Sequence, residues 1–576
     1  MTTRTSTPAS QPLPTPRGNT LRRVLYGSVG ALLLLLMALI LYPSINLLYN
    51  TFRADDTLSL ANYARVFATN RYVTVIGNSL FVSVFGTLGA VTLGLLLAWL
   101  IARTDVPGKP LWRALVIVPY LIPPFIGAIA WVYLLGPAGF VNRFWRDVFG
   151  SPLLVIYGRW GIILVMAFYT YPIAYLVNVG PLRQMNPVLE EAARISGAGT
   201  WRTLRDVTLP LMLPSIGASA LLIFMSLMAN FGIPTVLGFR TRYFVLTTEI
   251  YRTILTADMA NNLQIAATLS MVLVGFAVVV ILLQNWLRSG RRYTVLSGKN
   301  EQPRLVKLGV WKYPAVGLFV VVIAITVVAP LIGIFLTSIQ RALGVPITIE
   351  TATLAHYQTI FGMSKIGNAF RNSLLLAGGS ATIIVFLSLI IAYLSVRMKL
   401  RGSGLLNTVV LIPYAIPGTV VALAMILAFL RPLPIIQLSI YNTIWILLIA
   451  YIARFLTFGV QSISASLEQV HESLEEAARI SGADRVMSVR DVVLPLISSS
   501  VFAGWFLAFM PALTELTMSA LLFSPGNETL GQVVFSLNQE GQVNLTAALA
   551  FVVTVSVLLL HTLIRVLTRV RLDRAL

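Results

Sequence analysis

The chain has 576 residues, of which 57% are hydrophobic and only 11% charged. A soluble core cannot bury this much apolar surface, so the chain is predicted to be an all-α polytopic membrane protein. Its net charge of +21 does not indicate nucleic-acid binding, because the basic residues follow the predicted cytoplasmic loops. With no cysteine and three dispersed histidines, it has no metal-ligand motif and no predicted cofactor.

The N-terminal segment 1–23 is predicted to be a disordered cytoplasmic tail, because its first twenty residues are rich in Thr, Ser and Pro. Arg22 and Arg23 then precede an apolar run that continues toward Leu48 without a small-residue cleavage site. This pattern favours an uncleaved first span over a signal peptide.

Apolar runs of about 20 residues, the length that crosses a bilayer, recur along the whole chain. We predict a first six-span domain over 24–287, a cytoplasmic linker over 288–312 and a second six-span domain over 313–576. The predicted spans are 24–49, 78–102, 112–136, 160–180, 211–236, 265–287, 313–337, 372–396, 404–430, 441–461, 496–522 and 546–564.

The two halves repeat one another in parallel. Matching segments are 78–80 with 372–374 and 119–123 with 413–417 at an offset of 294, then 190–197 with 475–482 at an offset of 285. The second half has therefore lost nine residues, which we assign to the external stretch 137–159. A parallel repeat predicts a pseudo-two-fold axis along the membrane normal, with the transport pathway on it.

Each half carries one polar cytoplasmic loop with the same spacing: Glu-Ala-Ala, three residues, Gly, nine residues, Val, one residue, Leu-Pro. The residues concerned are Glu191, Ala192, Ala193 and Gly197 in the first loop, and Glu476, Ala477, Ala478 and Gly482 in the second. This duplicated motif resembles the EAA loop of the inner-membrane permeases of ATP-binding-cassette importers. A lone charged loop would ordinarily be a solvated connector, but two complete copies at homologous positions argue against that alternative.

The resemblance implies a type I importer permease in the bacterial inner membrane. Its partners would be two copies of an ATPase subunit, one on each loop, and a soluble solute-binding protein that delivers the substrate. The phosphate-binding loop of an ATPase is missing, since neither Gly-Lys pair of the chain has the required upstream Gly and downstream Ser or Thr. ATP hydrolysis is therefore expected on separate chains, and this chain is not expected to be an enzyme.

Local signals predict two short helices in each loop. Asn186 can cap the first helix ahead of Pro187, and Ser473 with Glu476 has the spacing of a capping box. Gly197 and Gly482 can end their helices in the left-handed conformation. Leu-Pro would then open the next span.

Ionisable residues inside spans are costly and often functional. Glu515 in the eleventh span has Asn230 as its repeat partner, and Arg454 in the tenth has Tyr169. These four are candidates for lining the pathway, and a purely structural Glu515–Arg454 pair is an equal alternative. Prolines at 119, 123, 124, 413 and 417 predict a break in the third span of each half.

The fused arrangement is similar to the ferric-iron group of importer permeases, with phrases such as Asn230-Phe-Gly-Ile-Pro and 522–531 in support. The resemblance therefore implies ferric iron as the substrate. Relatives for 2-aminoethylphosphonate, thiamine or polyamines stay open as alternatives. A major-facilitator carrier also has twelve spans and parallel halves, but it has no reason to carry paired EAA loops.

Overall fold

The computed structural model describes residues 27–289, 305–398 and 403–568, except 28–29, 33, 55–56, 257–260, 433–436 and 438. The predicted tail and most of the predicted linker lie outside the described residues. The regular secondary structure of the described chain consists of helices and one short hairpin, Arg53–Ala54 with Thr57–Leu58. This architecture confirms the predicted fold class.

The described part of the first half has six helices that are long and apolar enough to cross a membrane, and we call each such segment, and its counterpart in the second half, a crossing. A helical stretch over Gly30–Phe52 makes the first crossing, and the others are made by Asn70–Arg103, Lys109–Leu121 with Pro124–Leu135, Arg159–Gln184, Leu209–Met228 and Asn262–Ser289. Shorter helices are Ala61–Ala68, Phe140–Phe149, Pro187–Ile195, Thr200–Thr203, Gly232–Gly238 and Leu246–Leu255.

Among the described residues, the second half has five helices long and apolar enough to cross a membrane, and the shorter apolar helix Gly418–Phe429 lies in the predicted ninth span. The segments follow the same order as in the first half. The crossings of the second half are Lys312–Ile323 with Ala329–Ile339, Ser364–Ala392, Ser403–Ala415 with Gly418–Phe429, Ile444–Gln469, Leu494–Leu513 and Val543–Thr568. Shorter helices are Ala355–Gly362, Glu472–Ile480, Arg485–Ser488, Ser519–Leu522 and Leu530–Gln539. Single π-helical turns interrupt five of the helices in the two halves, at Met37–Leu41, Leu204–Thr208, Ala324–Val328, Tyr393–Arg397 and Val489–Val493.

The third crossing of each half is broken where the prolines predict. In the first half the backbone becomes extended at Ile122 and Pro123, and in the second half at Pro417. Proline lacks the N–H that would continue the helix, and it disfavours helical backbone in the preceding residue. Each crossing is therefore made of two shorter helices rather than one long one.

The nine-residue difference lies where the repeat predicts. Equivalent positions differ by 294 at the ends of the third crossings, Leu135 and Phe429, and by 285 at the starts of the fourth, Arg159 and Ile444. The longer connector of the first half folds into Phe140–Phe149, which we call the surface helix.

The first crossing of each half packs against the third crossing of the other half. Tyr42 in the first crossing donates to the carbonyl of Ala428 at 3.2 Å, and its ring lies 5.9 Å from that of Phe429. Reciprocally, Phe319 in the seventh crossing stacks on Trp112 with ring centroids 5.2 Å apart. The two halves are thus joined by an exchange of their first helices, which the sequence did not predict.

The fifth and eleventh spans end sooner than predicted. Their helices stop at Met228 and Leu513, and the chain unwinds before the short helices Gly232–Gly238 and Ser519–Leu522 begin. The runs 211–236 and 496–522 are apolar on average, so hydropathy alone did not reveal the breaks, although the polar Asn230 and Glu515 lie at them.

After each break the chain returns through another short helix, and we call Leu246–Leu255 and Leu530–Gln539 the outer helices. Matching serines hold both of them in place. Ser79 Oγ accepts from the backbone amide of Leu246, and Ser373 Oγ accepts from that of Leu530. The Asn-Ser repeat seen in the sequence therefore fixes one outer helix in each half.

Candidate functional site

The EAA loop of the first half begins with a capped helix, Pro187–Ile195, which we call the first loop helix. The side-chain oxygen of Asn186 accepts from the backbone amide of Val188 at 2.9 Å. The helix ends at Gly197, whose φ of +84° is the left-handed conformation that favours glycine. Both predictions for this loop are confirmed.

The second loop helix, Glu472–Ile480, begins differently from the prediction. The capping residue is His471, whose Nδ1 accepts from the backbone amide of Ser473 at 3.2 Å, and Ser473 itself lies inside the first turn. The predicted capping box of Ser473 and Glu476 is therefore wrong, because a histidine nitrogen takes the place of the expected hydroxyl. Gly482 ends the helix with a φ of +95°, as predicted.

The second short helix of each loop is continuous with the span that follows. One helical stretch runs from Trp201 to Met228 and another from Arg485 to Leu513. The α-helix of each span begins at Leu209 or Leu494, as the Leu-Pro pairs predict, and a π-helical turn joins it without a break to the short helix before it. Movement of either loop is thus linked directly to the fifth or eleventh span.

The predicted motif residues lie on or shortly after the loop helices, and their exposure matches between the two halves except at the motif glutamate. Ala192, Ala477 and Glu476 are exposed, Glu191, Ala193 and Ala478 are half-buried, and both glycines are exposed.

Large apolar side chains of the loops are also exposed to equal degrees. Ile195 and Ile480 are 88% and 87% exposed, and Trp201 and Val486 are both 74% exposed. Apolar residues that lie outside the bilayer and away from the core mark surfaces that bind a partner.

Buried carboxylates that the sequence analysis passed over tie each loop to the second span of its half. Glu190 forms an ion pair with Arg103 and also accepts from Thr208 Oγ1 at 2.8 Å. In the second half, Glu475 Oε2 lies 3.8 Å from Arg397 Nε, and Tyr393 donates to Oε1 of the same carboxylate. The signal for these pairs in the sequence was that an arginine ends the second span of each half, and that Arg103 and Arg397 are separated by the repeat offset of 294.

Glu190 and Glu475, which precede the motif, therefore face the protein, whereas the motif residue Glu476 is exposed and Glu191 is half-buried. A buried charge is stable only when it is paired and hydrogen-bonded. Arg103 and Arg397 meet this need and each also donates to a backbone carbonyl, of Leu182 at 3.4 Å and of Val470 at 2.5 Å.

Asn230 and Glu515, predicted as pathway residues, both cap the short helix after the break of their span. Asn230 Oδ1 accepts from the backbone amide of Ile233 at 3.0 Å. The two oxygens of Glu515 accept from the amide of Met518 at 2.8 and 2.9 Å, and Oε2 accepts from that of Ser519 at 2.9 Å. The two repeat partners therefore have the same structural role.

Arg454 and Tyr169 each pack against the broken third crossing of their own half. Arg454 Nη1 donates to the carbonyl of Ile416 at 2.7 Å, directly before the break. Tyr169 covers Gly127, where an added Cβ would lie 1.8 Å from the tyrosine hydroxyl oxygen. The structural pair of Glu515 and Arg454 stays a prediction, as does the pathway role of both residues.

Comparison with known proteins identifies the family. The family model described as binding-protein-dependent transport system inner membrane component matches residues 90–293 and again 384–574. The two matches cover more than half of the chain, one in each half, so the chain belongs to this family. It is the permease of a binding-protein-dependent ABC importer and a multi-pass protein of the bacterial inner membrane, which sets aside the major-facilitator alternative.

Individual relatives extend over most of the chain. The ferric transport system permease protein FbpB of Actinobacillus pleuropneumoniae is 27% identical, covering 90% of this chain and 74% of the relative. The Fe(3+)-transport system permease protein FbpB 2 of Haemophilus influenzae is 26% identical, covering 86% and 90%. A crystal structure of a bacterial ABC transporter involved in the import of the acidic polysaccharide alginate aligns with 45% of this chain and 94% of its own, at 18% identity and a TM-score of 0.37.

Proposed function

We propose that this permease moves ferric iron across the inner membrane after a soluble solute-binding protein delivers it. The observation that carries the proposal is the similarity to two ferric permeases over 86–90% of the chain. Among the residues that the structure describes, no group of three His, Asp or Glu side chains could hold a metal ion. A pathway that a cargo crosses transiently does not need such a group, since the binding protein holds the ligand.

The two loop surfaces are the proposed docking sites for two copies of an ATPase subunit, which hydrolyses the ATP. Exposed Ile195 and Ile480 would enter apolar pockets of the subunit, where a buried anchor contributes most of the binding energy. Glu191 and Glu476 would meet its basic residues. Between them, the small side chains of the paired alanines would let the ATPase approach the helix closely.

The ion pairs under the loops would carry motion from the ATPase to the spans. The first loop helix is held to the second span through Glu190 and Arg103, and it leads through Gly197 into the helix of the fifth span. A displacement of the loop would therefore move both spans together. The second half has the same arrangement through Glu475 and Arg397.

The proposed pathway runs along the pseudo-two-fold axis, beside the breaks of the fifth and eleventh spans, and Asn230, Glu515, Arg454 and Tyr169 remain its candidate residues. Contacts between the halves support this course. The ring of Phe231 lies 6.0 Å from that of Phe535, and Tyr251 lies 6.2 Å from Phe535. Tyr251 and Phe535 occupy equivalent positions on the two outer helices, so their contact is expected on the axis.

The proposed domain organisation is the one that the repeat predicts, with domains over 24–287 and 313–576 on either side of a cytoplasmic linker. The described end of this linker supports its placement beside the loop after the second span. Val306 donates to the carbonyl of Arg103 at 2.8 Å, and the amide of Leu308 donates to Asp105 Oδ1 at 2.8 Å.

Transport in proteoliposomes tests the cargo. The permease would be reconstituted with its ATPase subunit and supplied with the binding protein loaded in turn with radioactive ferric iron, thiamine, 2-aminoethylphosphonate or spermidine. We expect ATP-dependent uptake of iron and no uptake of the other three solutes. Matched vesicles with a non-hydrolysable ATP analogue give the background. Uptake of another solute without iron would overturn the ferric assignment and leave the permease assignment intact.

A further inference from the structure

The surface helix, Phe140–Phe149, is amphipathic although it does not cross the membrane. At about 100° per residue its large apolar side chains occupy one continuous side. They are Val141, Phe144, Trp145, Val148 and Phe149. The opposite side holds Asn142, Arg143, Arg146 and Asp147.

The apolar side of the surface helix is turned away from the rest of the protein. Phe144, Val148 and Phe149 are 66%, 57% and 60% exposed, whereas Asn142 is buried. Asn142 Nδ2 donates to the carbonyls of Leu135 at 2.7 Å and Leu154 at 2.8 Å. The helix therefore attaches to the protein through its polar side and presents its apolar side outward.

Two arginines fix the orientation of the helix. Arg143 Nη1 donates to the carbonyl of Gly344, which lies in the other half, at 3.1 Å. Arg146 Nη2 donates to the carbonyl of Pro137 at 2.9 Å. Because these bonds join the polar side to two separate segments, the helix has little freedom to roll and bury its apolar side against the protein.

The exposed apolar surface continues from the surface helix toward the membrane-facing side of the spans. Leu153 and Val155 in the following connector are 47% and 58% exposed, and Trp160 at the start of the fourth span is 57% exposed. Trp160 contacts Phe81 of the second span with ring centroids 5.8 Å apart. Aromatic residues at the ends of spans are typical of the membrane–water interface.

We propose that the surface helix lies in the membrane interface at the ends of the third and fourth spans and binds the lipid surface. Phe144 and Val148 enter the acyl-chain boundary, while Arg143 and Arg146 stay at the level of the headgroups. On the orientation predicted from the basic residues this is the outer leaflet. In the second half the equivalent connector is nine residues shorter, and its described residues form no helix.

Single cysteines test this proposal cleanly because the chain has none of its own. Phe144→Cys places a thiol on the apolar side, and Asp147→Cys is the matched control on the polar side. Each variant would be labelled with an environment-sensitive fluorophore and reconstituted with the ATPase subunit in liposomes. We expect blue-shifted emission at 144, quenched severalfold by lipids brominated on their acyl chains, and neither effect at 147.

Equal, unquenched emission at both positions would overturn the proposal. Shielding of position 144 that appears only when the solute-binding protein is added would also overturn it, because the face would then dock that protein. The fluorescence does not depend on which substrate is transported, so it is independent of the ferric assignment. Retained size-exclusion profiles and ATPase activity confirm that both variants are folded.

Discussion

The two halves fix their loops with the same ion pair but with a different third partner. In the first half Thr208, in the helix that leads into the fifth span, donates to Glu190. The equivalent of Thr208 in the second half is Val493, and Tyr393 of the eighth span donates to Glu475 instead. The first loop is therefore tied to the second span and to the helix of the fifth, whereas the second loop is tied twice to the eighth span. The arginine–glutamate pair is common to both halves, and the hydroxyl partner differs.

The pairs also differ in burial. The side chains of Arg103 and Glu190 are 1% and 8% exposed, whereas those of Arg397 and Glu475 are 7% and 14% exposed. Arg397 also lies 4.0 Å from the exposed Glu472. Water can thus reach part of the second pair, which makes an unpaired charge less costly there.

The largest expected effect follows from this difference. Arg103→Gln leaves Glu190 buried without its counter-charge and should lower the free energy of unfolding by about 3–5 kcal/mol. Arg397→Gln should cost about 1–3 kcal/mol, because Glu475 is partly hydrated and keeps the hydroxyl of Tyr393. Thermal unfolding in detergent measures both.

The double variant Arg103→Gln/Glu190→Gln is the control for this prediction. It removes both charges and should recover much of the lost stability. Equal losses from the two arginine variants would contradict the proposed difference between the halves.

A second effect concerns docking. Trp201 and Val486 are equally exposed at equivalent positions, but tryptophan offers the larger apolar contact. Trp201→Ala should weaken binding of the ATPase subunit by about 2 kcal/mol, close to thirtyfold, and Val486→Ala by about 1 kcal/mol. Titration of each variant with the ATPase subunit measures this, and unfolding should be unchanged within about 0.5 kcal/mol. Equal weakening would mean that contact size does not set the affinity.

A third effect concerns the breaks in the fifth and eleventh spans. Asn230→Ala should cost about 0.5–2 kcal/mol as the loss of a helix cap, and Glu515→Ala should cost more because its carboxyl accepts from two backbone amides, those of Met518 and Ser519. A double-mutant cycle of Glu515→Gln and Arg454→Gln tests the structural pair. A coupling of several kcal/mol would establish the Glu515–Arg454 pair, whereas losses that add within about 0.5 kcal/mol would exclude it.

The smallest effect should be the same in both halves. Gly197→Ala and Gly482→Ala each place a side chain in the left-handed conformation, which costs about 1 kcal/mol. Nothing lies within 4 Å of either added Cβ, so backbone strain is the whole cost. Hydrogen exchange of the loop helices should accelerate about fivefold in both variants. A difference between the two loops would show that one of them adapts to the change.

Local features of the sequence predicted much of the fold. Hydropathy located the crossings, prolines located the broken third crossings, and the glycines ended the loop helices as expected. These features depend on neighbours in the chain, such as the missing N–H of Pro123 or the missing side chain of Gly197. The breaks after Met228 and Leu513 escaped detection because hydropathy averages over a whole run and so hides single polar residues such as Asn230 and Glu515.

Features that depend on contacts between distant segments were missed. Arg103 and Glu190 are 87 residues apart, and their pairing follows from how the second span packs beside the loop. The exchange of first helices between the halves is likewise a matter of packing. For the candidate site, the spacing of the motif residues located the loop helices and the motif glutamates. It did not distinguish Glu190 from Glu191, because only the fold decides which side of a helix faces inward.

The number of ATPase subunits bound per permease tests the central claim most directly. Native mass spectrometry of the purified assembly would compare the parent with Ile195→Asp, Ile480→Asp and the double variant, since each change places a charge at the centre of one loop surface. We predict two subunits on the parent, one on each single variant and none on the double variant. Two subunits on the double variant would contradict the proposal that the loops are the docking sites.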